Sequence, residues 1–338
     1  MEVIFHPDYL EHRQHGTHPE RPDRLKAVLH RLEKENLHEE IEVPEQAGIE
    51  EVALVHDEKY MDNVKDLAPG YIDGGDTYLT EKTYDIAMLS AGGALMSLEK
   101  AEKGIKNIAL LRPPGHHSGR DYGGGFCYFN NIAIAARRSK HSKVAILDFD
   151  AHHGNGTSDI FYKDKSVLYI STHHHGIYPG TGESFAIGED EGKGFNVNIP
   201  FGTGSGDTSV ELAWNNLIEP ILRQYSPGII LVSLGTDGHY SDVMTGLSYS
   251  SQCYVETAKK TMELADEICD GRVSFMLEGG YHLDSLSEIL AGIVGYDVGK
   301  DIKLQYTKVS DDRQKGRKAV EDTFESLYKY WELEEKIE

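Results

Sequence analysis

The sequence predicts an α/β fold: one domain with a mostly parallel central sheet flanked by helices on both faces. Three observations point there. Short runs rich in Val, Ile and Leu alternate with amphipathic helical stretches along the chain. Those runs lack polar alternation, as expected of strands covered on both sides. No Pro/Gly/Ser-rich linker divides the 338 residues.

The strand candidates are Asn107–Leu111, Val144–Phe149, Val167–Ser171, Ile229–Leu234 and Val273–Leu277. Between them, Tyr84, Met88, Ala91, Leu95 and Leu98 recur at spacings that put them on one helix face. Ser209–Tyr225 and Gln252–Cys269 read the same way, and a last amphipathic helix is expected at about 317–334. Residues 1–338 are therefore read as a single domain.

Composition narrows the function. The net charge of −22 disfavours general nucleic-acid binding, which needs clustered Lys and Arg, and the one basic cluster, Arg137-Arg138-Ser139-Lys140, is short. No apolar run approaches the ~18–20 residues of a membrane helix, and MEVIFHPDYL has no signal-peptide pattern. Cys127, Cys253 and Cys269 are too few and scattered for a disulfide framework, so a cytoplasmic location is expected.

The residues just after each strand carry the chemistry. Arg112-Pro-Pro-Gly-His116-His117-Ser118 comes after the first run. Asp148, Asp150 and Ala151-His152-His153-Gly154-Asn155 end the second, and Thr172-His173-His174-His175 comes after the third. Gly235-Thr236-Asp237-Gly238-His239 and Glu278-Gly279-Gly280-Tyr281-His282 come after the last two. In parallel sheets the ligand crevice lies outside the C-terminal strand ends.

Asp150 and His152, two apart at a strand end, with Asp237 from another strand, make the best metal set. Three N/O ligands with an open fourth position describe catalytic zinc, and the same donors admit iron, manganese or cobalt. A hydrogen-bonded structural Asp–His pair is the competing reading. His116 and His117 suit acid–base work, with Asp148 and Asn155 as orienting partners. Tyr281, after two glycines, suits donation to a developing oxyanion.

These residues sit in motifs that resemble the zinc-dependent histone deacetylase superfamily, class II-like, with its acetoin-utilisation and acetylpolyamine amidohydrolase relatives. The motifs are HPERPDR at 18–24, HDEKY at 56–60, RPPGHHS at 112–118, GGGFCYFNN at 123–131, DFDAHHGNGT at 148–157, GIYPGTGE at 176–183, GTDGHYSD at 235–242 and LEGGYH at 277–282. The resemblance implies one Zn2+, or Fe2+ or another divalent ion, on Asp150, His152 and Asp237. It implies His117 as general base with His116 as its partner, Asp148 holding His116 and Asn155 contacting His117. Tyr281 would polarise the carbonyl.

Phe126 and Tyr178 resemble the aromatic walls of a lysine tunnel. Asp76 resembles the rim aspartate, and Gly125, Gly279 and Met244 complete the substrate-facing set. Arg24 resembles the arginine of an acetate channel. The resemblance also implies structural K+ at Asp148, Asp150, His152 and Ser171, and a second K+ site at Phe161, Asp164 and Val167. The activity implied is removal of acetyl groups from N-ε-acetyl-lysine in proteins or peptides. Alternatives are an acetylpolyamine or other small-amide deacetylase and a non-catalytic acyl-lysine binding module. Three departures stand out: Asn155 where many relatives carry Asp, Asp242-Val243 where the family has Asp-Pro, and Met244 at the tunnel mouth. An acidic residue there would suit a polyamine; Met suits an acyl-lysine.

Overall fold

A computed structural model describes residues 1–37, 41–307, 309, 311 and 313–334. Among the described residues ten strands run in chain order: β1 (Glu2–Ile4), β2 (Ile41–Glu42), β3 (Gly70–Tyr71), β4 (Tyr78–Leu79), β5 (Asn107–Ala109), β6 (Val144–Asp148), β7 (Val167–His174), β8 (Asn196–Phe201), β9 (Ile229–Leu234) and β10 (Val273–Leu277). β3 and β4 form a small antiparallel hairpin; the other eight form one sheet in the order β2-β1-β5-β10-β9-β6-β7-β8. Every pairing in the large sheet is parallel, as the unbroken apolar runs predict. All six residues of β9 are buried, which only cover on both faces allows.

Helices supply the cover. Thr83–Ala101 packs on Asn131–Arg138 and on β5 and β10. Asp23–Lys34 and Ser251–Ile268 both pack against Leu283–Asp297, and Ser251–Ile268 also meets β10. Ser250 starts the last of these by accepting the Cys253 N–H at 3.1 Å, which satisfies a donor the helix cannot.

The five strands anticipated from sequence are five neighbours, β5-β10-β9-β6-β7. From β6 the chain steps outward through β7 and β8, then returns to the far side of β6 as β9. The crevice between the ends of β6 and β9 is therefore a topological switch point.

Three expectations need correction. The strand expected at Val167–Ser171 runs on to His174, because Thr172, His173 and His174 pair with Ile199, Pro200 and Phe201 of β8. His173 and His174 are thus strand residues, with His173 bonded to Ser171 Oγ and the Gly182 carbonyl. The helix expected at 317–334 spans Arg313–Leu327. The chain leaves the helical path there to seat Trp331, whose indole N–H donates to the Gly194 carbonyl at 2.8 Å. The helix expected at Ser209–Tyr225 starts at Asp207 and is interrupted by a π turn at Trp214–Ile218.

Candidate metal and acid–base centre

The site forms where the β6 and β9 ends meet the loop after β10. Asp150, His152 and Asp237 are buried, and one ligand atom from each lies within 4.8 Å of the others. His152 Nδ1 is 2.8 Å from Asp237 Oδ2 and 3.2 Å from Asp150 Oδ1. The backbone aims the carboxylates: Ala151 N–H donates to Asp237 Oδ1 at 2.9 Å, and Gly279 N–H donates to Asp150 Oδ2 at 2.8 Å. A Cβ on Gly279 would lie 2.6 Å from Asp150 Oδ2 and 2.7 Å from Asp237 Oδ2, so this loop approaches closely because it carries no side chain.

The donor set fits a divalent cation. Burial opposes a charge on His152, but Asp237 and Asp150 override it and raise its pKa to about 11. Burial and Asp150 raise that of Asp237 to about 6. Two buried carboxylates converging on one imidazole are what a cation satisfies and a simple structural pair does not need.

Beside them, the His116 and His117 rings lie 4.0 Å apart. His116 Nδ1 is 3.1 Å from Asp148 Oδ2, which also accepts from the Tyr169 hydroxyl at 2.9 Å. His117 Nδ1 is 2.8 Å from Asn155 Oδ1. Burial disfavours a charge on either ring. Asp150 and Asp148 reverse that for His116, whose pKa rises to about 10. For His117, burial and the neighbouring His116 and His152 push it well below the ordinary value. The two rings are thereby shifted in opposite directions.

Tyr281 is flanked by Phe126, ring centres 6.0 Å apart, and by the Arg24 guanidinium 5.0 Å from its ring centre. Burial raises its phenol well above 10, so it remains a donor. Arg24 is fully buried and bonds the Gly280 carbonyl at 2.6 Å and Glu20 at 3.3 Å, directly behind the Tyr281 loop. Phe126 is half-buried, and Tyr178 stands edge-on to His117 at 5.0 Å. Gly125 has φ +55°, and a Cβ there would lie 2.5 Å from the His117 ring. Asp76 reaches Phe126 through Thr77: Thr77 Oγ1 donates to Asp76 at 2.8 Å and accepts the Phe126 N–H at 3.0 Å.

Other anticipated residues have local partners of their own. Met244 is half-buried, its N–H bonded to Asp242 Oδ1 at 3.1 Å. Ser171 is buried against His173. Phe161, Asp164 and Val167 share the turn leading into β7, where the Asp164 side chain pairs with Arg137. The basic cluster is neutralised, with Arg138 on Glu51 and Lys140 on Glu102.

Sequence reasoning passed over three supports. Asp242 Oδ2 accepts the N–H groups of Tyr281 and His282. Glu278 is buried, accepts the N–H groups of Gly115 at 2.7 Å and His116 at 3.2 Å, and has its pKa raised by burial to about 7. Tyr122 bonds Asn155. The carboxylate at 278, next to a glycine pair after a strand, and Asp242, within a quoted motif, carried signals that could have been read; Tyr122 carried none.

The Histone deacetylase domain family matches residues 18–296. The chain belongs to the histone deacetylase family. Membership makes it an enzyme of the deacetylase kind, a hydrolase. The chain is 38% identical over 311 residues to a probable deacetylase of Archaeoglobus fulgidus, covering 88% of this chain and 87% of that one. It is 37% identical over 312 residues to the chloroplastic histone deacetylase 14 of Arabidopsis thaliana, covering 84% and 74%. The crystal structure of the HDA15 HD domain superposes with a TM-score of 0.88 at 30% identity, covering 98% and 97%. Among the described residues, no helix of this histone deacetylase homologue is long and apolar enough to cross a membrane.

Proposed function

We propose that this protein hydrolyses N-acetyl amides to acetate and a free amine, with acetyl-lysine side chains of proteins or peptides as the substrate class. The observation that carries the reading is the convergence of Asp150, His152 and Asp237 beside a His pair whose Nδ1 atoms meet two different partners, Asp148 for His116 and Asn155 for His117. A divalent ion on those three residues, zinc or iron, supplies Lewis acidity toward the carbonyl and a more acidic water.

The chain's own groups do the rest. Neutral His117 takes a proton from water at Nε2, since Nδ1 is occupied by Asn155. His116, cationic against Asp148, keeps positive charge beside the developing oxyanion, and the pair returns a proton to the leaving amine. The Tyr281 phenol donates to the former carbonyl oxygen. Phe126 and Tyr178 exclude water from an aliphatic stem, Gly125 leaves room between them, and Asp76 at the rim accepts backbone N–H groups of a peptide. Arg24 lines the path for departing acetate. Structural K+ on Asp148, Asp150, His152 and Ser171, and near Phe161, Asp164 and Val167, belongs to the same reading. A cytoplasmic setting agrees with the free thiols of Cys127, Cys253 and Cys269.

The test is acetate release from an acetyl-lysine peptide, acetylspermidine and acetylputrescine by protein reloaded with zinc or iron. Preference for the peptide supports the proposal. Preference for the polyamines would move the substrate class, and metal uptake without turnover on any amide would favour a binding module.

A further inference from the structure

Behind His117 a hydrogen-bond chain leads out to the surface. His117 Nδ1 meets Asn155 Oδ1 at 2.8 Å, Asn155 Nδ2 donates to Tyr122 Oη at 3.1 Å, and Tyr122 Oη donates to Asp159 Oδ2 at 2.5 Å. Asn155 and Asp159 are four apart on one helix, Asn155–Phe161, so one hydroxyl can bridge both. Tyr122 is set by its own loop: its carbonyl accepts from Gly119 N–H at 2.9 Å and Ser118 Oγ at 3.1 Å. A Cβ on Gly119 would lie 2.2 Å from the Tyr122 ring, so the loop closes on the ring only with glycine there.

The direction of these hydrogen bonds has a chemical consequence. An amide has nearly the same shape either way round, but one end accepts and the other donates. If Asn155 turned its NH2 toward His117, Nδ1 would have to accept, the ring proton would move to Nε2, and the free lone pair needed by a general base would be lost. Asn155 and His117 cannot decide this between themselves, because both orientations make a hydrogen bond. Asp159 decides it. A carboxylate offers only acceptors, so the Tyr122 hydroxyl donates outward and presents its lone pairs to Asn155. The amide then points NH2 at Tyr122 and its oxygen at His117, whose Nδ1 must carry the proton. An aspartate in place of Asn155 would accept from His117 unaided; the asparagine needs the two residues behind it.

We propose that Tyr122 and Asp159 are positioning residues that set the tautomer of His117 through Asn155. The proposal deepens the hydrolase reading and rests on it for its kinetic consequence. Tyr122→Phe and Asp159→Asn are expected to lower kcat about tenfold, below the ~10²–10⁴ that loss of a general base costs, with KM within about twofold. In an Asn155→Asp background the same changes are expected to leave kcat within about twofold of Asn155→Asp alone, because the new carboxylate holds Nδ1–H by itself. A merely structural contribution would cost the same in both backgrounds, and that result, or no loss in either single variant, overturns the proposal. Nitrogen-15 NMR of the zinc-loaded, histidine-labelled protein reads the tautomer without turnover. His117 is expected as Nδ1–H in the parent and as a mixture in Tyr122→Phe; an unchanged tautomer there also overturns it. If the parent hydrolyses no acetyl amide, the hydrolase reading falls and the NMR result alone decides the relay.

Discussion

Asp242 holds Tyr281 by the backbone: its Oδ2 accepts the N–H of Tyr281 at 2.7 Å and that of His282 at 3.0 Å. Its other oxygen takes the Met244 N–H at 3.1 Å, so one buried carboxylate ties the Met244 loop to the loop that carries the phenol. Asp242→Ala frees both loops and leaves three N–H groups without their acceptor. We expect kcat to fall about tenfold, ~1.4 kcal/mol of barrier, with bound metal unchanged. Turnover and metal content on the same preparation check this.

Tyr281→Phe keeps the ring and removes the donor. Turnover should fall by ~10²–10³, about 2.7–4 kcal/mol, while the metal stays bound. Near-normal turnover would take Tyr281 out of the chemistry.

Asp237→Ala removes a carboxylate proposed to hold the metal, whose other oxygen is already committed to Ala151 N–H. Metal content measured after dialysis should drop to a small fraction of the parent's, and activity with it. A fully zinc-loaded variant would refute the ligand assignment.

Acid stability depends on Glu20. It is fully buried between Arg112 and Arg24. Burial opposes its charge, but Arg112 and the other cations outweigh burial and lower its pKa from 4.5 to about 2. A folded pKa below the unfolded one gives stability that is present above about pH 4.5 and lost as pH falls through about 2; the shift corresponds to something on the order of 3 kcal/mol. His12, 3.8 Å away, acts in the same direction: burial lowers its pKa from 6.5 to about 3, so folding loses stability as pH falls below 6.5. Urea unfolding across pH 7 to 3 should show stability falling, and Glu20→Gln should flatten the part below pH 4.5. An unchanged slope in that variant would disprove the Glu20 contribution.

Much of the site was legible because it is built from strand ends. Asp150 and His152 share one strand end, and apolar runs such as Ile229–Leu234 locate the neighbouring ends, so their donors could be assigned to one sheet edge before any contact was known. The three strands of the large sheet outside those five neighbours were not legible. β1 and β2 are three and two residues long, and β8, NVNIPF, mixes Asn and Pro into its apolar pattern; Pro200 is tolerated because β8 has a partner on one side only. The extension of β7 through His174 is a product of pairing with that unanticipated strand.

By itself the sequence determined the parallel α/β sheet and the residue types delivered to its edge, because strand periodicity and strand-end position are local properties of the chain. Only the tertiary structure decided which partners each group meets and which hydrogen bonds are fixed in direction. His116 and His117 are adjacent and chemically identical, yet one faces Asp148 and Asp150 and the other an amide. Tyr281 owes its place to Asp242, 39 residues away, and the Asn155 amide is turned by Tyr122, 33 residues away. Charge state and hydrogen-bond direction depend on burial and on partners brought together across the fold, and no local pattern encodes either.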